Sequence, residues 1–146
     1  MKKKTTVDLI EESEVVSLYS ISFEVDGTTE FERFLEKFEN QADWNKDYQK
    51  VLYAISLILD KGALERYFRP EGKMSDDVCA IPVESGNIRL YCLRISDEIL
   101  VIGNGDVKHT ETYEEDQRLL KKDIEAGIIT VEKRHLLGIE EKIYEI

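Results

Sequence analysis

The feature that most constrains this chain is an apolar stripe between residues 44 and 59. Trp44, Tyr48, Val51, Leu52, Ile55, Ile58 and Leu59 step by three and four residues along one face, the spacing of a helix that buries one side. Asp43 precedes the stripe as a candidate N-cap, and Gly62 follows it where a helix stops in a left-handed conformation. Such a helix must lay its stripe on another element. A second, shorter helix is predicted at 30–40. There Thr29 and Glu32 form a T-x-x-E capping box, and Phe31, Phe34, Leu35 and Phe38 follow at helical spacing. The few residues between the two helices predict an antiparallel hairpin.

Strand signals lie on both sides of this pair. Val15, Tyr19, Ile21, Phe23 and Val25 share one parity, with Ser20 and Ser22 on the other, which reads as a half-buried strand ending at Asp26-Gly27. Residues 1–14 read as polar, frayed chain. Past Gly62 the pattern turns to loop through Arg69-Pro70 and Gly72. A three-strand meander is then predicted at 78–83, 88–95 and 99–103. Pro82 marks the end of the first strand, and residues apolar on both faces make the second one central. Gly103-Asn104-Gly105 reads as the closing turn. Thr112 and Glu115 make a second capping box, opening a helix to about Ala126 with Gly127 as its stop. Ile128–Val131 is β-prone, and the residues after it read as helix or tail.

The expected fold is therefore α+β: two antiparallel helices packed on a mainly antiparallel sheet of about four strands, with a C-terminal helical extension. At 146 residues the chain suits one domain at 15–117, with 118–146 packed on it or trailing from it. Cys79 and Cys92 fall in predicted strands and read as small core residues. His109 and His135 share no ligand spacing with them, so neither a metal nor another cofactor is expected. A net charge of −11 disfavours generic binding to nucleic acid or anionic membrane. No apolar run is long enough to cross a bilayer. Lys2, Lys3 and Lys4 are followed by Asp8, Glu11, Glu12 and Glu14 where a secretory signal needs an apolar stretch, so a cytoplasmic protein is expected.

Against that acidic background, bases that cluster are informative. Arg89 opens the central strand, Arg94 lies near its end, and Lys108-His109 follow the last strand. Arg89 and Tyr91 share a face, whereas Arg94 points the other way unless a bulge intervenes. Arg89, Tyr91, Lys108 and His109 are thus the compact candidate set. Metal-free RNA cleavage needs a base for the 2′-hydroxyl, cations for the phosphorane and an acid for the leaving oxygen; histidine and arginine suit those roles. The bland alternative is that the arginines pair with Glu84, Asp97 or Glu98, and that Lys108 and His109 belong to a solvated turn.

The runs Ile88-Arg89-Leu90-Tyr91-Cys92-Leu93-Arg94-Ile95, Ile99-Leu100-Val101-Ile102 and Gly105-Asp106-Val107-Lys108-His109-Thr110 resemble the corresponding stretch of the RelE/HigB/ParE superfamily of bacterial toxins. Leu59-Asp60-Lys61-Gly62 and Arg69-Pro70-Glu71-Gly72 resemble that family's helix end and following loop. The resemblance implies a toxin component of a toxin–antitoxin system, a ribosome-dependent mRNA endonuclease neutralised by a cognate antitoxin. Arg89 would contact phosphate, Lys108 and His109 would stand at the basic positions after the last strand, with Tyr91 beside them, and Arg94 would add an RNA contact. The net charge of −11 is opposite to the family's habit. A non-catalytic RelE-fold protein that acts as a protein-binding module is the alternative expectation.

Overall fold

The computed structural model describes residues 5–23, 27–71, 77–84, 86–107 and 110–132. Strands β1 (Thr6–Glu12) and β2 (Ser17–Ser22) precede helices α1 (Glu30–Phe38) and α2 (Asn45–Lys61). After these come β3 (Arg69–Pro70), β4 (Val78–Ile81), β5 (Arg89–Ser96), β6 (Ile99–Asp106) and helix α3 (Glu111–Glu125). The strands form one sheet in the order β1-β2-β6-β5-β4-β3. Every pairing is antiparallel except β2 with β6, which is parallel.

The sheet is covered on both faces. Phe34 and Phe38 of α1 and Tyr48, Val51, Ile55 and Ile58 of α2 pack with Leu18, Leu90, Cys92, Leu100 and Ile102. Rings of Phe34, Phe38 and Tyr48 lie with centroids 5.1–6.3 Å apart and join the two helices. On the opposite face, Leu120 and Ile124 of α3 pack with Tyr19, Ile21, Val78, Leu93 and Val101. The anticipated stripe at 44–59 is the face that α2 buries, and Gly62 ends that helix at φ 102° with its N–H donated to Ile58 O at 2.7 Å. The Thr29–Glu32 capping box is formed reciprocally: Glu32 N–H donates to Thr29 Oγ1 at 3.2 Å, and Thr29 N–H to Glu32 Oε1 at 3.3 Å.

The fold departs from expectation in several places. The sheet has six strands rather than about four. Residues 6–12, read as frayed, form β1, with Val7 and Leu9 packed on the α3-side cluster and a bulge between Leu9 and Glu11. That bulge breaks the alternation that would have announced a strand. All six residues of β2 are buried rather than half of them. Ser20 and Ser22 share the parity of Leu18 on the other face, and Ser20 Oγ donates to Ile102 O at 2.6 Å while accepting from Phe31 N–H at 3.2 Å. One hydroxyl thereby serves both a strand and a helix start, which makes a buried serine tolerable.

Asp43 does not cap α2; it lies in a 3-10 turn, Ala42–Trp44, that leads into the helix. Residues 103–106 are strand and not turn, because β6 continues to pair Gly105 with Leu90 and Asp106 with Arg89. Thr112 and Glu115 do not open helix α3 as a capping box: the helix starts at Glu111 with Thr110 at the N-cap position and no side-chain cap, and the Thr110 N–H donates to the Tyr91 hydroxyl at 2.9 Å. No strand forms at 128–131; instead Ile129 and Val131 pack on the α3-side cluster. The expectation of helix or tail after residue 132 lies outside the described residues.

Candidate functional site

Strand β5 is regular from Arg89 to Arg94, because its own bulge falls between Arg94 and Ser96. Parity therefore holds, and the two arginines leave opposite faces of the sheet. Arg94 turns toward the end of α2. Its Nε–H donates to Ala63 O at 2.7 Å, one terminal nitrogen binds the Asp97 carboxylate, and the other stands 3.7 Å from Glu65. Beside it lies a cavity of about 660 Å³ floored by Phe68, Val78 and Cys79. Burial pushes the Cys79 thiol up to about 12, so it stays protonated and unreactive.

Arg89 and Tyr91 lie on the face that α3 covers, and there they meet residues the sequence did not single out. Arg89 Nη1 contacts both Glu71 carboxylate oxygens, at 3.1 and 3.2 Å, and Glu71 is only 6% exposed. Arg118 of α3 donates to the Glu71 main-chain carbonyl at 2.8 Å and pairs with Glu114 at 2.7 Å. Register carries the cluster across the sheet: Arg69 of β3 stands opposite Ala80, and Ala80 opposite Tyr91. Arg69 donates to Ile88 O at 3.1 Å, while its Nε–H is buried with no acceptor. Burial and the neighbouring Arg89 charge lower the Arg69 pKa, with Glu71 opposing them. Burial likewise raises the Tyr91 pKa, so the hydroxyl keeps its proton while accepting from Thr110.

A second polar junction closes the same end of the sheet. Lys37 of α1 donates to Gly105 O at 2.8 Å and to Tyr113 Oη at 3.3 Å, and its ammonium is 5.0 Å from the Tyr113 ring centre. It ties α1, β6 and the first turn of α3 together. Lys108 and His109 lie outside the described residues. Their neighbours Val107 and Thr110 are placed at the Arg89 end of the sheet, by the pairing of Asp106 with Arg89 and by the Tyr91–Thr110 hydrogen bond.

The structure thus brings Arg89 and Tyr91 together and sends Arg94 elsewhere. It adds Glu71, Arg69 and Arg118, a general-base-type carboxylate and two further cations. Glu71 and Arg69 were legible only as loop; Arg118 gave no signal beyond helical spacing to Glu114. Among the described residues no group of three or more His, Cys, Asp or Glu side chains assembles as a metal site. Nor is any helix long and apolar enough to cross a membrane. No known protein family, no curated protein and no solved structure matches the chain.

Proposed function

We propose that this chain is a partner-binding protein on a RelE-type scaffold, the non-catalytic counterpart of a toxin component, working in the cytoplasm with a small antitoxin-like protein. The order two strands, two helices, four-strand antiparallel meander and helix supports the scaffold. The observation that carries the function is that both arginines suited to phosphate are engaged internally, Arg89 by Glu71 and Arg94 by Asp97 and Glu65. Handing Arg89 to a substrate phosphate would strand a nearly buried Glu71 carboxylate. Such a loss costs on the order of 3 kcal/mol, somewhat less here because Arg89 is about one-third exposed.

A second reading has its own support. Glu71, Arg89, Arg118 and the Tyr91 hydroxyl form a set with a carboxylate for proton transfer and cations for phosphorane charge, and Tyr91 reaches Thr110. In that reading the chain is a ribosome-dependent mRNA endonuclease with His109 as acid or base and Arg89 and Lys108 as charge stabilisers. The test is induced expression of wild type, Arg89→Ala and His109→Gln, followed for growth and for cleavage of ribosome-bound mRNA. The partner-binding reading expects no arrest and no cleavage, together with higher soluble yield on co-expression with the small protein encoded next to it. Arrest by wild type with relief in either variant establishes the nuclease reading instead.

A further inference from the structure

Helix α2 buries Tyr48, Val51, Ala54, Ile55 and Ile58 against the sheet, and its opposite side carries a second stripe. Lys46, Tyr53 and Asp60 follow one another at seven-residue steps, which puts them on one line along the helix. Tyr53 stands at the middle and is 65% exposed. Beside it, Leu57, Tyr67, Pro82 and Val83 line a cleft of about 70 Å³, and Val83 is itself 47% exposed. A cleft of that size takes one side chain, whereas pockets for free ligands start at about 300 Å³. The charges at the two ends of the stripe are the reverse of what α2 alone prefers. Lys46 sits in the first turn, at the positive end of the helix dipole, and Asp60 in the last turn, at the negative end. Asp47 and Lys61 carry the signs that suit the dipole, but Asp47 is turned aside to Asn87, whose amide donates to it at 3.2 Å.

We propose that this face is where two copies of the chain dock, with their α2 helices antiparallel about a two-fold axis at Tyr53. The argument is charge complementarity. Turning a second α2 end for end sets Lys46 of each copy beside Asp60 of the other, since both lie about 10 Å along the helix from Tyr53. Each charge then faces its opposite, together with the end of a neighbouring dipole that suits it. A parallel pair would set lysine on lysine and aspartate on aspartate. At the axis, each Tyr53 ring enters the cleft of the other copy, the kind of aromatic anchor that dominates interfaces. The stripe holds one base and one acid, so it is a neutral line on which two chains of net charge −11 can meet. Helix α2 is about 25 Å long, and with the 82–84 segment beside it the footprint is on the order of 500 Å² per copy, at the lower bound for a specific dimer. The face lies across the sheet from α3 and Arg89, so the proposal does not depend on what that side binds.

The test is the oligomeric state of the purified full-length protein, followed by sedimentation velocity from low to high micromolar concentration. Wild type is expected to pass from monomer to dimer across that range. Tyr53→Ser is expected to weaken the dimer at least about tenfold, with an unchanged circular dichroism spectrum because the side chain is exposed. Lys46→Glu and Asp60→Lys should each weaken it too, since each sets like charges together at both ends of the stripe. An equimolar mixture of those two variants should dimerise again, because in the mixed antiparallel pair every contact joins opposite charges. A chain that stays monomeric at every concentration overturns the proposal. So does a dimer indifferent to Tyr53→Ser, and so does a mixture that associates no better than either variant alone.

Discussion

The close approach of β5 and β6 beside the arginine cluster can be probed by adding one methyl group. A Cβ on Gly105 would stand 2.0 Å from the Arg89 carbonyl oxygen and 2.8 Å from both the Arg89 carbonyl carbon and Leu90 Cα. All three atoms are backbone of the neighbouring strand, so no side-chain rotation relieves the contact. Gly105→Ala must push the strands apart by roughly 1.5 Å to reach ordinary contact distance. That forfeits the pairing at Leu90–Gly105 and Arg89–Asp106. Overpacking of about 1–3 kcal/mol and two weakened backbone hydrogen bonds of about 1 kcal/mol each give a loss of about 3–5 kcal/mol. For a chain of this size that is on the order of 10 °C in Tm. Gly103→Ala is the internal control. Its Cβ would meet Gln117 Nε2 at 2.1 Å, the far end of a side chain, so the cost should be about 1–2 kcal/mol and should shrink in a Gln117→Ala background. Urea unfolding followed by far-UV circular dichroism measures all five proteins, Gln117→Ala alone included. A Gly105→Ala loss no larger than that of Gly103→Ala would refute the reading of 103–106 as strand, and with it the placement of Arg89.

Two further perturbations address the core. Ser20→Ala removes the hydroxyl shared by Ile102 O and Phe31 N–H and should cost about 1–3 kcal/mol in urea unfolding; hydrogen exchange at Phe31 should accelerate, and an unchanged rate there would contradict the helix-start role. At high pH the buried Cys79 adds a slope. Desolvation lifts its pKa from 9.0 to about 12, so above pH 9 the unfolded thiol loses a proton that the folded thiol keeps, and stability falls as pH rises. The effect is absent below the unfolded pKa. Cys79→Ala should therefore lose less stability than wild type between about pH 8 and about pH 10.5, and equal losses would remove Cys79 as the cause.

Parts of the fold were legible because they rest on local periodicity. The 44–59 stripe, the Thr29–Glu32 box and Gly62 each involve residues within one or two turns of one another, and all three are realised. The misreadings have a common physical origin in partners distant along the chain. Gly103-Asn104-Gly105 carries every local mark of a turn, but β5 supplies pairing partners, and the missing side chains let that strand approach. The stripe of Tyr19, Ile21 and Phe23 was correct in parity. It faces the smaller cluster under α3, while the serines on the other side are buried because α1 starts against Ser20. Edge strands β1 and β3 escaped notice because one is bulged and acidic and the other is two residues long.

The candidate site shows the same division at the level of single residues. Parity along β5 was enough to separate Arg89 from Arg94, and the structure keeps them on opposite faces. Parity could not supply Glu71, 18 residues from Arg89, or Arg118, 47 residues from Glu71. Those neighbours exist only once β3 is laid on β4 and α3 is laid on the sheet. Their consequence reverses the sense of the sequence signal. Arginines that stand out against an acidic composition invite an external anion, yet the nearest anion is internal and nearly buried. For an outside ligand to reach Arg89 it must compete with a carboxylate already tethered beside the guanidinium, whose effective concentration is set by a short chain segment. A free ion cannot win that contest cheaply. A group that displaced Glu71 would have to be held by contacts elsewhere on the surface as well, so that it too competes from a high effective concentration.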